Sequence, residues 1–226
     1  NLIDTAEMYN TEPLVAEAIQ GYNREDLFIA TKIWITHLKY DQVLKAAQRS
    51  LERLQSAYID LYQIHWPSPL VPIKDTIRAM ERLVDEGKVR YIGVSNFSRR
   101  QMERAHRALG RFGLPLAANQ VRYSLLDRRI ETDGVLEAAK DLGVTVIAYS
   151  PLAQGILSGR FHDDPGLVRR IPGFRKYMPA FKPRGLEKSR PVIDALRRIS
   201  AKYGAAPIQV ALNWLVSQAG DTADDR

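Results

Sequence analysis

Asp4, Tyr9, Lys32 and His65 are the residues of this 226-residue sequence whose types and places could together move a proton. A phenol is a poor acid or base near neutrality, its reference pKa being about 10. An ammonium beside it favours the phenolate and lowers that value, each tenfold gain in acidity being worth ~1.4 kcal/mol. Lys32 could be that ammonium, and Asp4 the counter-charge that a buried lysine needs to stay protonated. His65 would then hold a substrate oxygen by a hydrogen bond, or help relay the proton. Each residue also has a plain structural use. An Asp closing a strand caps a turn, a Tyr packs in a core or on a surface, a strand-end Lys carries its charge out to water, and a His beside Trp66 packs.

These residues must be positioned by the elements around them. Six short apolar, β-branched runs read as strands: 2–4, 27–31, 59–66, 89–95, 116–123 and 144–150. Between them apolar residues fall at helical spacing over 12–20, 41–55, 75–86, 98–109 and 132–142, and Gly87, Gly110 and Gly143 stand just past three of these helices as stops. Strand alternating with helix predicts a parallel sheet covered by helices. A doubly wound nucleotide fold would carry a glycine-rich phosphate loop, and neither G-x-G-x-x-G nor G-x-x-x-x-G-K-[ST] occurs. Polar residues instead close nearly every strand: Asp4, Lys32, His65, Ser95 with Asn96, Gln120 and Ser150. In a (β/α)8 barrel such ends form one face, where active sites sit, so the barrel is the expected fold, a single domain over 1–226. After Pro151 the rhythm stops, and 152–188 reads as a long loop rich in Gly, Pro and basic residues. Loops of that length tend to be lids or binding loops, or else disordered. Helices at 189–203 and 207–218 follow, the second opened by Pro207, and the tail QAGDTADDR promises no further strand.

Composition narrows the function. The excess of 33 basic over 26 acidic residues favours anionic ligands. The arginines, however, come in scattered pairs (Arg99 with Arg100, Arg128 with Arg129, Arg169 with Arg170, Arg197 with Arg198), the pattern of solvated surface rather than of a nucleic-acid patch. With no cysteine there is no disulfide, thiolate metal site or cysteine nucleophile. No window approaches the roughly 18 consecutive apolar residues of a membrane-spanning helix, and a cytoplasmic place is expected. His37, His65, His106 and His162 lack the spacings of a zinc site, and no G-x-S-x-G elbow is present.

The stretches NLIDTAEMY, IATKIW, DLYQIHWP, IGVSNF, NQVRYS, AYSPLAQGILSG and PIQVALNWL, in this order, resemble the aldo-keto reductase family from the first residue to about Gln218. The resemblance implies the (β/α)8 fold and NADPH-dependent reduction of an aldehyde or ketone. It makes Tyr9 the general acid, Lys32 and Asp4 the pair that tunes it, and His65 the residue that orients the carbonyl. It likewise implies that Ser95, Asn96 and Gln120 bond the nicotinamide carboxamide, that Tyr149 stacks on the ring, and that Ser150, Leu152 and Gln154 lie along the pyrophosphate. Arg160 falls where relatives often carry a basic residue near the phosphates, and Lys182 and Arg184 in the long loop could also meet them. Trp34 and Trp66 match positions that line an apolar substrate pocket; core aromatics are the other reading.

Relatives place a hairpin and a first barrel strand before the LIDTA strand, and an eighth strand with a 2′-phosphate-gripping segment after PIQVALNWLVSQ. Neither is found here, so the expectation is a barrel lacking its first and last strands, with NADPH preferred over NADH on the resemblance alone. The expected partner is a small carbonyl compound, with neither nucleic acid nor membrane. The alternatives are a cofactor-binding regulatory subunit, like those that dock on membrane channels, and an inactive truncated barrel.

Overall fold

The computed structural model describes residues 1–218, so the tail after Gln218 lies outside the described residues. The strands are β1 (Leu2–Asp4), β2 (Phe28–Ile33), β3 (Ile59–Ile64), β4 (Val89–Ser95), β5 (Ala118–Arg122) and β6 (Thr145–Tyr149). The helices are α1 (Glu12–Ala18), α2 (Tyr40–Leu54), α3 (Ile73–Asp85), α4 (Arg99–Gly110), α5 (Val135–Asp141), α6 (Arg160–Asp163), α7 (Pro183–Tyr203) and α8 (Pro207–Ser217). The strands lie in sequence order, β1 to β6, and β1 to β5 pair in parallel. This is the strand–helix succession of a (β/α)8 barrel, six strands of it. The chain divides into two compact units, Asn1–Val121 with Ile130–Ile147, and Arg122–Arg129 with the chain from Ala148 onward.

β3 is buried along its whole length and β2 and β5 along most of theirs, while β1 and β6 stay partly exposed. Ile29, Ile33, Tyr62, Ile64, Ile92 and Val94 face the helices. They meet one stripe of α2, whose buried positions Val43, Ala46, Ala47, Ser50, Leu51 and Leu54 recur at helical spacing. The opposite face is smaller and more polar. Ala30, Leu61 and Ala118 form its apolar floor, and alternation along each strand puts Lys32, Gln63, Ser95 and Gln120 on that same face. Register sets them side by side: Lys32 opposite Gln63, Gln63 opposite Gly93, and Ser95 opposite Gln120.

Gly93 is the close approach in this layer. A Cβ there would stand 3.0 Å from Gln63 Cγ, 3.1 Å from Leu61 Cδ1 and 3.3 Å from the Ala118 carbonyl oxygen. Gly93→Ala is therefore expected to lower stability by about 1–3 kcal/mol, as overpacking does. Urea unfolding measures it, and a neutral or stabilising effect would show that the layer has room.

The expected helix stops hold at Gly87 (φ 70°) and Gly143 (φ 65°) but not at Gly110, which ends α4; the left-handed turn falls to Gly113 (φ 71°). The segment 152–188 is also more ordered than a loop. Short 3-10 turns at 153–158, 165–170, 173–177 and 179–181 surround α6, and α7 begins at Pro183 rather than 189. Pro183 suits a first helical turn, while Gly185 and Pro191 inside the helix hide its period in the sequence. Leu157, Ile193, Leu196 and Ala211 make one core of this second unit, and Ile156, Ile171 and Phe181 another.

Candidate active site

The four proton-delivery candidates meet at the C-terminal ends of β1, β2 and β3. β1 closes at Asp4, and the Thr5 N–H still donates to the Ala30 carbonyl of β2 at 2.9 Å. The chain then turns through Glu7–Tyr9, a single 3-10 turn, and leaves it at Asn10 in the left-handed region (φ 55°). The Thr5 and Thr11 hydroxyls, 2.8 Å apart, pinch the base of this loop. Tyr9 is left half exposed.

Lys32, the next-to-last residue of β2, is 1% exposed. Its Nζ donates to Asp4 Oδ2 at 2.6 Å and to the Thr5 carbonyl at 2.7 Å. It also lies 5.3 Å from the centroid of the Tyr9 ring, within reach of the ring's negative face. Burial pulls the Lys32 pKa below its usual value, and the Asp4 carboxylate opposes that pull.

His65 follows β3 and continues its ladder, its N–H donating to the Ile33 carbonyl at 3.1 Å. Its Nε2 is 3.4 Å from the Tyr9 hydroxyl, and its ring meets those of Tyr9 and Trp34 edge-on at 5.5 and 5.3 Å. Burial, then the neighbouring Lys32, pushes the His65 pKa down to about 4 against the opposing pull of Asp4. His65 is thus a neutral imidazole at physiological pH. Sharing a proton with the hydroxyl, it can hold a substrate oxygen without adding charge.

Burying this imidazole also makes stability depend on pH. The unfolded chain protonates His65 near 6.5, the folded chain only near 4. Between these values the unfolded state holds the extra proton, so this contribution is full above about pH 6.5 and is lost as pH falls toward 4. Urea unfolding should show the parent losing more stability across that window than His65→Gln, and equal losses would contradict the burial argument.

Ser95, Asn96 and Gln120 also come together. The Ser95 hydroxyl and the Asn96 N–H both donate to the Gln120 carbonyl at 2.9 Å. The Asn96 amide donates to the His65 carbonyl at 3.1 Å and to Ser95 Oγ at 3.0 Å, tying this cluster to the backbone of the proton site. Trp34 is half-buried against the His65 edge, whereas Trp66 is 42% exposed and is not a core residue.

The second unit holds the other candidates. Tyr149 ends β6, with the Arg122 guanidinium 5.7 Å from its ring centroid. Beyond it the backbone curls through left-handed conformations at Ser150 (φ 53°), Ala153 (φ 48°), Gln154 (φ 58°) and Gly155 (φ 98°). The Ala153 N–H turns back to the Ser150 carbonyl at 2.8 Å and the Gly155 N–H to the Leu152 carbonyl at 2.9 Å, which closes this curl on itself. A cavity of about 130 Å³ opens there, lined by Ser150, Gln154 and Arg122 among others, and Gln154 Oε1 is buried with no hydrogen-bond partner. The Arg122 guanidinium can meet an anion and the Gln154 oxygen a sugar hydroxyl, while the Asp127 carboxylate in the same lining opposes an anion. Arg160 opens α6, exposed.

Sequence reasoning missed Glu7 and Glu12, buried at the start of the turn that carries Tyr9 and at the start of α1 just after it, and the arginines that meet them. Their signal was there, as two acids bracketing the tyrosine inside NLIDTAEMYNTE. Among the described residues no group of three or more His, Asp or Glu side chains could hold a metal ion, and no helix is long and apolar enough to cross a membrane.

The sequence model of the aldo/keto reductase family matches residues 1–223. The chain is 38% identical to aldo-keto reductase YhdN of Bacillus subtilis over 97% of its own length and 68% of that protein's. Among solved structures it is similar to the thermostable aldo-keto reductase Tm1743 bound to the inhibitor epalrestat, with a TM-score of 0.75, 38% identity, and 95% of this chain and 67% of that one covered. It is also similar to a Klebsiella pneumoniae aldo-keto reductase in complex with NADPH, with a TM-score of 0.70, 32% identity, and 95% of this chain and 65% of that one covered. The chain therefore spans about two thirds of the length of the relatives it matches.

Proposed function

The chain belongs to the aldo/keto reductase family, and from that premise we propose that it reduces an aldehyde or ketone to the alcohol with NADPH. The observation that carries the reading is the buried Lys32 ammonium, held by Asp4 and Thr5 beside the Tyr9 ring, with a neutral His65 against the phenol.

NADPH, when bound, supplies the hydride. What the chain's own residues do is hold the carbonyl and deliver the proton. Negative charge builds on the carbonyl oxygen as the carbon is reduced, and Tyr9 gives it the phenolic proton. Lys32 stabilises the phenolate left behind, and Asp4 keeps Lys32 protonated despite its burial. His65 orients the oxygen with a neutral N–H, so the Tyr9 proton is the one transferred. Half-buried Trp34 and exposed Trp66 form the apolar side of the carbonyl site.

Ser95, Asn96 and Gln120 are the residues proposed to bond the carboxamide, and Tyr149 to stack on the ring. Ser150, Leu152, Gln154 and Arg160 are proposed for the phosphates, a reading supported for Ser150 and Gln154 by the Arg122 guanidinium that shares their cavity. The resemblance favours NADPH over NADH.

The test is NADPH consumption, followed by absorbance, with an aromatic aldehyde as probe, alongside the thermal shift that NADPH produces in the same protein. Turnover with a raised Tm is the expected result. A raised Tm with no turnover on a panel of aldehydes and ketones would replace the reductase with a cofactor-binding protein, and neither effect would sink both readings.

A further inference from the structure

Tyr9 sits on a turn of three residues, too short to hold its own shape. What fixes it comes from α2. Glu7, at the start of the turn, is 8% exposed, and its carboxylate is fully engaged. Arg49 Nη2 donates to Oε1 at 2.9 Å, the Trp34 N–H donates to Oε2 at 3.1 Å, and His37 Nδ1 lies 3.0 Å from Oε1. Burial pushes the Glu7 pKa up, but the bonds from Arg49, Trp34 and His37 outweigh it and hold the carboxyl below its usual value.

Glu12, on the other side of Tyr9, is wholly buried. Its Oε1 accepts from the hydroxyl of Thr31, the residue before Lys32, at 2.7 Å. Its Oε2 has the Arg53 guanidinium at 3.5 Å as its charge partner. Arg49 and Arg53 are four residues apart, one turn of α2, and so project from the same side of that helix. Two successive arginines thus face two buried carboxylates, Arg49 hydrogen-bonding Glu7 before the tyrosine and Arg53 neutralising Glu12 after it by charge alone, Glu12 Oε2 having no hydrogen-bond partner.

The same carboxylates reach the other members of the site. Glu7 holds the backbone of Trp34, whose ring leans on His65, and Glu12 holds the neighbour of Lys32. Tyr62, fully buried, has its phenol pKa raised by burial and by the charges of Glu7 and Glu12, with Arg49 opposing, so it stays neutral beneath them. We propose that Arg49 and Arg53 are positioning residues that set the distance between the Tyr9 phenol, Lys32 and His65 through Glu7 and Glu12. This rests on the reading of Tyr9 as proton donor.

The experiment compares Glu7→Gln, Arg49→Met, Arg49→Lys and Arg53→Met with the parent. Two quantities are read: kcat and KM for the aldehyde, and the alkaline ionisation of Tyr9, followed as the ultraviolet difference between each protein and its Tyr9→Phe counterpart. Displacement of a reacting group by about 1 Å costs on the order of 10²-fold. The expected result is a fall in kcat of about tenfold to 10²-fold, with KM little changed and the Tyr9 ionisation shifted upward. Arg49→Lys should recover part of the loss, since it keeps the charge but not the planar fork. Arg82→Met, which removes a surface i,i+4 pair on α3, should change neither quantity.

Arg49 is 40% exposed, so its variants keep the test if Glu7→Gln does not fold. An unshifted Tyr9 ionisation overturns the proposal, whether kcat holds or falls together with Tm. A shifted ionisation in a protein whose Tyr9→Phe variant still turns over at the parent's rate leaves the clamp standing and removes the proton-donor reading instead.

Discussion

Tyr9→Phe is expected to lower kcat for the proposed carbonyl reduction by about 10²–10⁴-fold, the range that a positioned general acid contributes. The substitution removes the hydroxyl and keeps the ring. The ring stays half exposed, its edge contact with His65 does not need the oxygen, and the bond lost to Nε2 is a long one at 3.4 Å. Thermal stability and the NADPH-induced shift should therefore be unchanged. KM for the aldehyde should move only a few-fold, because the phenol acts on charge that develops late in the reaction. Lys32→Met should fall in the same range. The double variant should lose little more than either single one, since phenol and ammonium act as a unit. Steady-state kinetics on folded protein decide it, and a Phe variant within threefold of the parent would mean that the proton comes from elsewhere.

The four central residues differ in how legible they are in the sequence. Asp4, Lys32 and His65 each close, or nearly close, an apolar strand, and strand ends of a parallel barrel share a face, so they follow from that pattern alone. Tyr9 is a candidate by its type and its nearness to Asp4, but its role as the acid rests on the family resemblance, since a tyrosine five residues into a loop has no periodicity to place it. Neighbours in space but not in sequence are less legible. Arg49 and Arg53 look like solvated helix positions until β2, α2 and the loop after β1 are packed together. The long segment 152–188 hides its order for a different reason: short 3-10 turns show no useful period, and Gly185 and Pro191 break the pattern of α7 where its chain is helical. Trp66 can be assigned to core or pocket only by its exposure, which depends on the chain around it.

The opposite end of β3 yields the second large effect, on stability and not on rate. Asp60 is 1% exposed, at the N-terminal side of the strand, whereas the proposed proton site lies at the C-terminal side. Its Oδ2 accepts from Arg24 Nη2 at 2.6 Å and from the buried Ile29 N–H at 2.9 Å, and its Oδ1 accepts from Arg90 Nη1 at 3.0 Å. The two guanidinium groups also lie over the Tyr58 ring, 4.1 and 3.9 Å from its centroid. Arg24 further donates to the carbonyls of Leu27 and Tyr58, so one carboxylate organises the entries to β2 and β3. Asp60→Ala strands the Ile29 N–H and leaves two cations facing each other across a ring. Removing one partner of a buried ion pair costs about 3–5 kcal/mol. Arg24 and Arg90 keep some contact with water (21% and 47% exposed), which argues for the lower end. The expected loss is about 3 kcal/mol in urea unfolding, or roughly 6–12 °C in Tm for a chain of this size. Asp60→Asn, which keeps an acceptor for Ile29, should lose less. Since neither change touches the proton site, kcat of the folded fraction should match the parent's at a temperature where both are native. A loss below about 1 kcal/mol, the value of an exposed pair, would show that the two arginines are satisfied by water and the backbone, and that the carboxylate merely fills the space between them.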